Sequence, residues 1–279
     1  MARPVLLRIA SIAGALVGSV IGGTAMLGTL VGLEAVRVRS TLRSNTGADG
    51  FDASGIYGEG NPGQALRLAV LGDSLAAGVG AGSADYTVGA ILAKTLVLES
   101  GKPVRLWNVA VSGSRSKDLQ GQIYALRRET DRVDAALIVV GSNDVMGLGD
   151  IGSAVRELYR AVTTLRRTGC SVVVATCPDL DAVRPLVQPL RYLAHRLSRQ
   201  LAVAQTMVVL RAGGRPVPLG VTLGALFRKR PNSMFSADRL HPSPLGYARA
   251  AAVLLPSVRA CFGLSGRVQA AATPTSAHA

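Results

Sequence analysis

From residue 64 onward the apolar residues fall into short runs set between longer stretches of helical period. The runs at 66–71, 104–108, 135–140, 171–176 and 207–210 are four to six residues long and rich in Val, Leu and Ile, the pattern of strands buried on both faces. Helical periodicity covers 84–100, 116–129, 150–168 and 186–205, and a last helix is predicted at 243–262. Strands alternating with helices imply a parallel sheet of about five strands covered on both sides, a three-layer α/β/α domain spanning 64–263. No internal repeat interrupts this order.

The first third of the pattern differs. Beyond a basic N-terminus at 1–8, residues 9–33 are 25 positions without a charge, and about 20 suffice to cross a bilayer core. A transmembrane anchor is therefore expected over 9–33. A cleaved secretory signal is the alternative, but Gly23-Thr24-Ala25 is a poor cleavage site and the apolar run continues past it. Arg3 and Arg8 on one side face Arg37, Arg39 and Arg43 on the other, so the count of positive charges leaves the orientation open. Residues 34–63 follow as a juxtamembrane segment and linker; 44–63 hold six glycines and no apolar period, which reads as a flexible tether. The Ala-, Thr- and Ser-rich residues 264–279 read as a disordered tail.

Composition adjusts this picture in three places. Hydrophobic residues at 48% and charged residues at 17% exclude wholesale disorder, and aromatics at 4% make the core aliphatic. A net charge of +14 favours anionic surfaces, while the few aromatics argue against a single-strand nucleic-acid binder; no nucleic-acid partner is expected. Three cysteines without CxxC spacing and three histidines in all offer no clustered metal site, so no metal is expected. Cys170 and Cys177 bracket a predicted strand and would stand about 23 Å apart at ~3.3 Å per residue, far beyond the roughly 7 Å a disulfide allows. Free thiols are expected there, with pairing of Cys261 left open.

In a doubly wound sheet, ligands bind beyond the carboxyl ends of the strands. The first strand ends in Gly72-Asp73-Ser74-Leu75, where Ser74 is either a helix cap or an exposed nucleophile. The second leads from Asn108 to Gly113, a residue whose backbone N–H a ligand can approach, and the third ends in Gly141-Ser142-Asn143-Asp144. Asn143 is a turn residue or a hydrogen-bond donor to a ligand. His278 lies in the tail and His195 in an arginine-crowded helical stretch. His241 follows Asp238 by three positions just before the last helix, a spacing at which the carboxylate can hold one ring nitrogen while the other faces a serine. Taken alone, this pair reads equally as a loop cap and a surface histidine.

Leu71-Gly72-Asp73-Ser74-Leu75, the stretch from Asn108 to Gly113, Gly141-Ser142-Asn143-Asp144 and Asp238-Arg239-Leu240-His241-Pro242 occur in the order and spacing of conserved blocks in a known family. The chain resembles the SGNH, or GDSL-type, esterase and lipase superfamily over roughly 65–262. The resemblance implies Ser74, Asp238 and His241 as catalytic residues, and an oxyanion hole formed by Ser74, Gly113 and Asn143. The expected fold is then a flavodoxin-like α/β/α sandwich behind a transmembrane helix. The expected function is a membrane-tethered serine esterase or acylhydrolase that needs no cofactor and takes a small-molecule or lipid-like ester. A thioesterase, a carbohydrate O-deacetylase and a non-catalytic binding protein on the same scaffold are the alternatives.

Two similar patterns fail on inspection. The run Gly78-Val79-Gly80-Ala81-Gly82-Ser83 lacks the last glycine of a dinucleotide loop, and Ala76 breaks the G-x-S-x-G of an α/β-hydrolase elbow. Residues 216–235 read as an ordinary packed loop with the solvated basic tip Arg228-Lys229-Arg230, with an acyl-contacting flap as the alternative.

Overall fold

The computed structural model describes residues 49–147, 149–183 and 185–264; the predicted anchor at 9–33 and the tail beyond residue 264 lie outside them. Among the described residues no helix is long and apolar enough to cross a membrane.

The elements are β1 (Gly55–Tyr57), β2 (Leu66–Gly72), α1 (Ser74–Ala77), α2 (Val88–Ser100), β3 (Val104–Asn108), α3 (Leu119–Glu129), β4 (Ala135–Val139), α4 (Ser142–Met146) and α5 (Ile151–Arg166). They continue with β5 (Ser171–Ala175), α6 (Leu190–Arg211), β6 (Arg215–Val217), α7 (Leu219–Lys229), α8 (Pro231–Met234) and α9 (Pro244–Cys261). The sheet runs β1-β3-β2-β4-β5-β6, with β1 antiparallel to β3 and every other pair parallel. Without β1 this is the 2-1-3-4-5 order of flavodoxin-like folds, whose switch point falls between β2 and β4.

Side chains alternate across the sheet with the period of two that strands impose. Leu68, Val70, Leu137, Val139 and Val173 pack on one face against Leu96 of α2 and Tyr247 and Leu254 of α9. Ala69, Leu71, Ile138, Val172 and Val174 pack on the other against Leu119 and Ile123 of α3 and Leu158 and Val162 of α5. A third cluster, with Leu180, Val183, Leu190 and Leu201, sits where α6 crosses the end of the sheet.

Three expectations need correction. Residues 207–210 are not a strand but the last turn of α6, where Val209 is buried while Met207 and Leu210 are exposed. Four apolar residues in a row fit either element, and continuity with a 22-residue helix decides. The fifth parallel strand is instead Arg-Pro-Val at 215–217, an edge strand too short to show a period and able to carry Pro216 because one side lacks a neighbour. The sheet is mixed and six-stranded because β1 lies inside the stretch read as a tether; Ala53 is buried, and Tyr57 donates its hydroxyl to the Ala53 carbonyl at 2.8 Å. From Asp49 that stretch is part of the domain. Residues 216–235 are not a loop: after the end of β6 they form the helices α7 and α8. All three cysteines, Cys170, Cys177 and Cys261, are free thiols.

Candidate active site

Ser74 opens α1 immediately after β2. Gly72 makes the turn possible: its φ is +136°, and a Cβ there would stand 1.8 Å from the Val139 carbonyl oxygen of β4. Asp73 caps the helix, its Oδ1 accepting the Leu75 N–H at 3.0 Å. The Ser74 N–H belongs to the first turn of α1, whose N–H groups have no intrahelical acceptor. Asp73 is fully buried and its Oδ2 has no partner among the described residues, so burial, reinforced by the charge of Asp144, pushes its carboxyl up to about 7 against the pull of the Leu75 N–H.

His241 and Asp238 come from the loop between α8 and α9. Ser236 accepts from Arg239 N–H and donates its own N–H to the His241 carbonyl, and Arg239 turns the chain at φ +56°. The loop rests on Gly80, where a Cβ would meet the Pro242 carbonyl at 2.8 Å. His241 Nε2 lies 3.0 Å from Ser74 Oγ, and His241 Nδ1 lies 2.6 Å from Asp238 Oδ2. Asp238 Oδ1 accepts from the Ser236 hydroxyl and from the N–H groups of Leu240 and His241. Burial alone raises this carboxyl, but the hydrogen bonds from His241, Leu240 and Ser236 outweigh it and hold Asp238 far below the usual carboxylate range. An ionised Asp238 only accepts, so the Nδ1 proton stays on the ring and the Nε2 lone pair faces Ser74 Oγ.

Gly113 and Asn143 lie in the wall of the same cavity as Ser74 and His241. Gly113 takes φ +83° in a turn closed by the Ser114 N–H on the Val111 carbonyl. Asn143, second residue of α4, donates Nδ2 to the Ser114 carbonyl at 3.1 Å, which leaves one amide hydrogen free to serve a ligand. Asp144 behind it accepts from Ser116 N–H and Oγ–H; burial raises its carboxyl, against the pull of those bonds and of Arg115.

The cavity has a volume of about 640 Å³. Leu180, Val183, Leu219, Leu223, Phe227 and Phe235 supply an apolar wall, with the rings of Phe227 and Phe235 edge to face at 5.0 Å. Thus α7, within the segment read as a loop, forms part of the wall. Its Arg228 donates to Asp179 at 2.9 Å, and His195 of α6 meets the other oxygen of Asp179 at 2.7 Å. His195 is partly buried and engages Asp179 rather than Ser74.

Several positioning residues went unread in the sequence. Gln122 of α3 exchanges two hydrogen bonds of 2.8 Å with the backbone of Gly72 and donates to Ser114 Oγ, tying the first turn to the Gly113 loop. Gln205 of α6 holds Val140 and Cys177 at the ends of β4 and β5. The available signal was a glutamine in the apolar phase of each helix, beside Leu119, Ile123 and Leu126 in the first and beside Leu201 and Val209 in the second.

The GDSL-like lipase/acylhydrolase family model matches residues 70–249. A GDSL-like esterase of Mycobacterium tuberculosis is 41% identical, the match covering 88% of this chain and 81% of that protein. Among solved structures, TesA superposes with a TM-score of 0.57 at 22% identity, covering 70% of this chain and 98% of its own. The esterase EstA of Pseudoalteromonas sp., crystallised inhibited by monoethylphosphonate, gives 0.56 at 16% identity over 70% and 98%. These two likenesses show the fold. With the family model and the esterase relative added, the chain belongs to the GDSL-like lipase/acylhydrolase family of ester-cleaving serine hydrolases.

Proposed function

We propose that the chain is a membrane-tethered serine esterase that cleaves a carboxylic ester through an acyl-enzyme on Ser74. The observation that carries this reading is the unbroken hydrogen-bond chain from Ser74 Oγ through His241 to Asp238, opening into a largely apolar cavity. His241 Nε2 takes the hydroxyl proton as Ser74 Oγ attacks the acyl carbonyl, and Asp238 stabilises the imidazolium that forms. The negative charge that develops on the carbonyl oxygen is met by the N–H groups of Ser74 and Gly113 and by the free amide hydrogen of Asn143. The C–O bond then breaks, and the alcohol leaves with the proton held by His241. Water attacks the acyl-serine with His241 again as base, which restores Ser74 and releases the acid. The tether is the uncharged stretch 9–33, which would hold the domain at a bilayer surface. Thioesters and O-acetyl sugars fit the same steps, but the apolar wall favours an acyl chain.

A panel of 4-nitrophenyl esters from acetate to palmitate tests the reading on the full-length protein. Each methylene the wall buries contributes about 0.8 kcal/mol, so kcat/KM should climb up to about fourfold per methylene and level off once the wall is covered. Ser74→Ala should abolish turnover of every ester. Hydrolysis that survives this substitution would overturn the assignment.

A further inference from the structure

Arg67, Arg105, Arg115, Arg191 and Arg259 are the half-buried arginines among the described residues. Four of them have a protein partner. Arg67 pairs with Asp134 at 3.2 Å, Arg191 with Asp181 at 3.1 Å and Arg259 with Glu99 at 3.0 Å, while Arg105 lies 5.3 Å over the Trp107 ring. Arg115 has neither an ion pair nor a guanidinium hydrogen bond among the described residues; only its backbone is engaged, the N–H donating to Asp118 Oδ2 at 2.8 Å and the carbonyl accepting from Asp118 N–H at 2.9 Å. A partly desolvated charge without a partner is costly. Arg115 is also the one of the five that lines the cavity holding Ser74.

Its surroundings hold it in place. The preceding carbonyl, of Ser114, accepts from Asn143 at 3.1 Å, and the following residue, Ser116, is bound to Asp144. The guanidinium lies over Gly147, where a Cβ would come within 2.4 Å of Nη2 and 2.5 Å of Cζ. Gly147 has φ −84°, which any residue adopts, so glycine supplies room for the guanidinium there rather than backbone freedom. Asp144 feels the Arg115 charge through space, its oxygens being turned to Ser116. The other charged groups on the wall are Asp179, engaged by His195 and Arg228, and Asp49, exposed at the rim; His241 is held by Asp238.

We propose that Arg115 is an anion subsite of this cavity, and that the preferred substrate is an ester carrying a carboxylate or phosphate in the same molecule. The inference rests on the esterase reading above and names its substrate class. A guanidinium fork matches the two oxygens of either group with parallel hydrogen bonds, and an apolar surround strengthens them. The net charge of +14 draws such substrates toward the protein.

The test is kinetic, on the full-length protein and its Arg115→Met and Arg115→Lys variants. Two matched pairs place the anion on either side of the ester: 4-nitrophenyl valerate against 4-nitrophenyl hemiglutarate, and phenyl acetate against 3-carboxyphenyl acetate. The parent should prefer the anionic member of at least one pair. Arg115→Met should lower kcat/KM for that member about 10- to 100-fold, mainly through KM, while the neutral partner stays within about twofold and Arg115→Lys recovers part of the loss. Glutarate or inorganic phosphate should inhibit the parent competitively and spare Arg115→Met, which separates a carboxylate from a phosphate site. No anionic preference in either pair overturns the proposal. So does an equal loss on neutral and anionic esters, which would assign Arg115 to holding the Gly113 turn. If the parent turns over neither member of either pair, the esterase reading fails instead. Calorimetric titration of glutarate and phosphate into parent and Arg115→Met then decides the subsite by itself.

Discussion

Asp73 offers the sharpest quantitative expectation, because its carboxyl is fully buried, one oxygen lacks a partner among the described residues, and its pKa is pushed up to about 7 from an ordinary 3.8. The folded protein therefore binds a proton at Asp73 in a range where the unfolded chain has lost it. By linkage the resulting stabilisation is fully present below the unfolded value and disappears as pH rises through the folded one. At about 1.36 kcal/mol per pKa unit the whole effect is about 4 kcal/mol, of which about 3 kcal/mol is lost between pH 5 and pH 8. Asp73→Asn removes the titration and keeps an oxygen for the Leu75 N–H. Its amide inherits the unpartnered position at a cost of about 1–3 kcal/mol, but that cost is the same at both pH values. Urea unfolding of parent and variant, followed by far-UV circular dichroism at pH 5 and pH 8, isolates the slope. The variant should gain about 3 kcal/mol on the parent over that interval. A difference between the two proteins that is the same at both pH values would refute a buried, proton-binding Asp73.

Three further outcomes follow from the site and the chain around it. Asn143→Ala should lower kcat and kcat/KM together by about 10² to 10³-fold on a short ester, with a melting temperature within a few degrees of the parent; a collapsed melt with normal kcat in the surviving enzyme would make Asn143 a turn residue. His241→Ala should abolish turnover, whereas His195→Ala, which leaves Ser74, His241 and Asp238 in contact, should change kcat for a short ester less than a few-fold. Comparable kcat losses would move the base to His195. Full-length protein should stay in the membrane pellet through a carbonate wash, and a mature N-terminus found just after Ala25 would replace the anchor by a cleaved signal.

What could be read from the chain was local. The runs of β2, β4 and β5 carry enough consecutive apolar residues to announce buried strands, and β3 adds Val104, Leu106 and Trp107 around Arg105; the residues just beyond their ends carry the candidate chemistry, so Ser74, Gly113 and Asn143 fall where strand ends place them. Asp238 and His241 are three apart, so their pairing needs only a tight loop. Elements whose identity depends on distant partners were not legible. Gly55–Tyr57 becomes a strand only because β3 lies beside it, and Arg215–Val217 only because β5 does. The 2.8 Å clasp of Gln122 on Gly72 spans 50 positions, and Arg228 reaches back 49 to Asp179; neither spacing has a pattern a single sequence displays. Met207–Leu210 misled because apolar residues exposed on a long helix look, over four positions, like a buried strand.

The central claim, that Ser74 is a nucleophile activated by His241, is tested most directly by covalent labelling. The full-length protein is treated with an active-site-directed fluorophosphonate and the adduct is located by peptide mass spectrometry. A single adduct at Ser74, absent from Ser74→Ala and formed far more slowly in His241→Ala, is the predicted result. Folded protein that takes no label, or that takes it at Ser112 or Ser142 in the same cavity wall, would contradict the account.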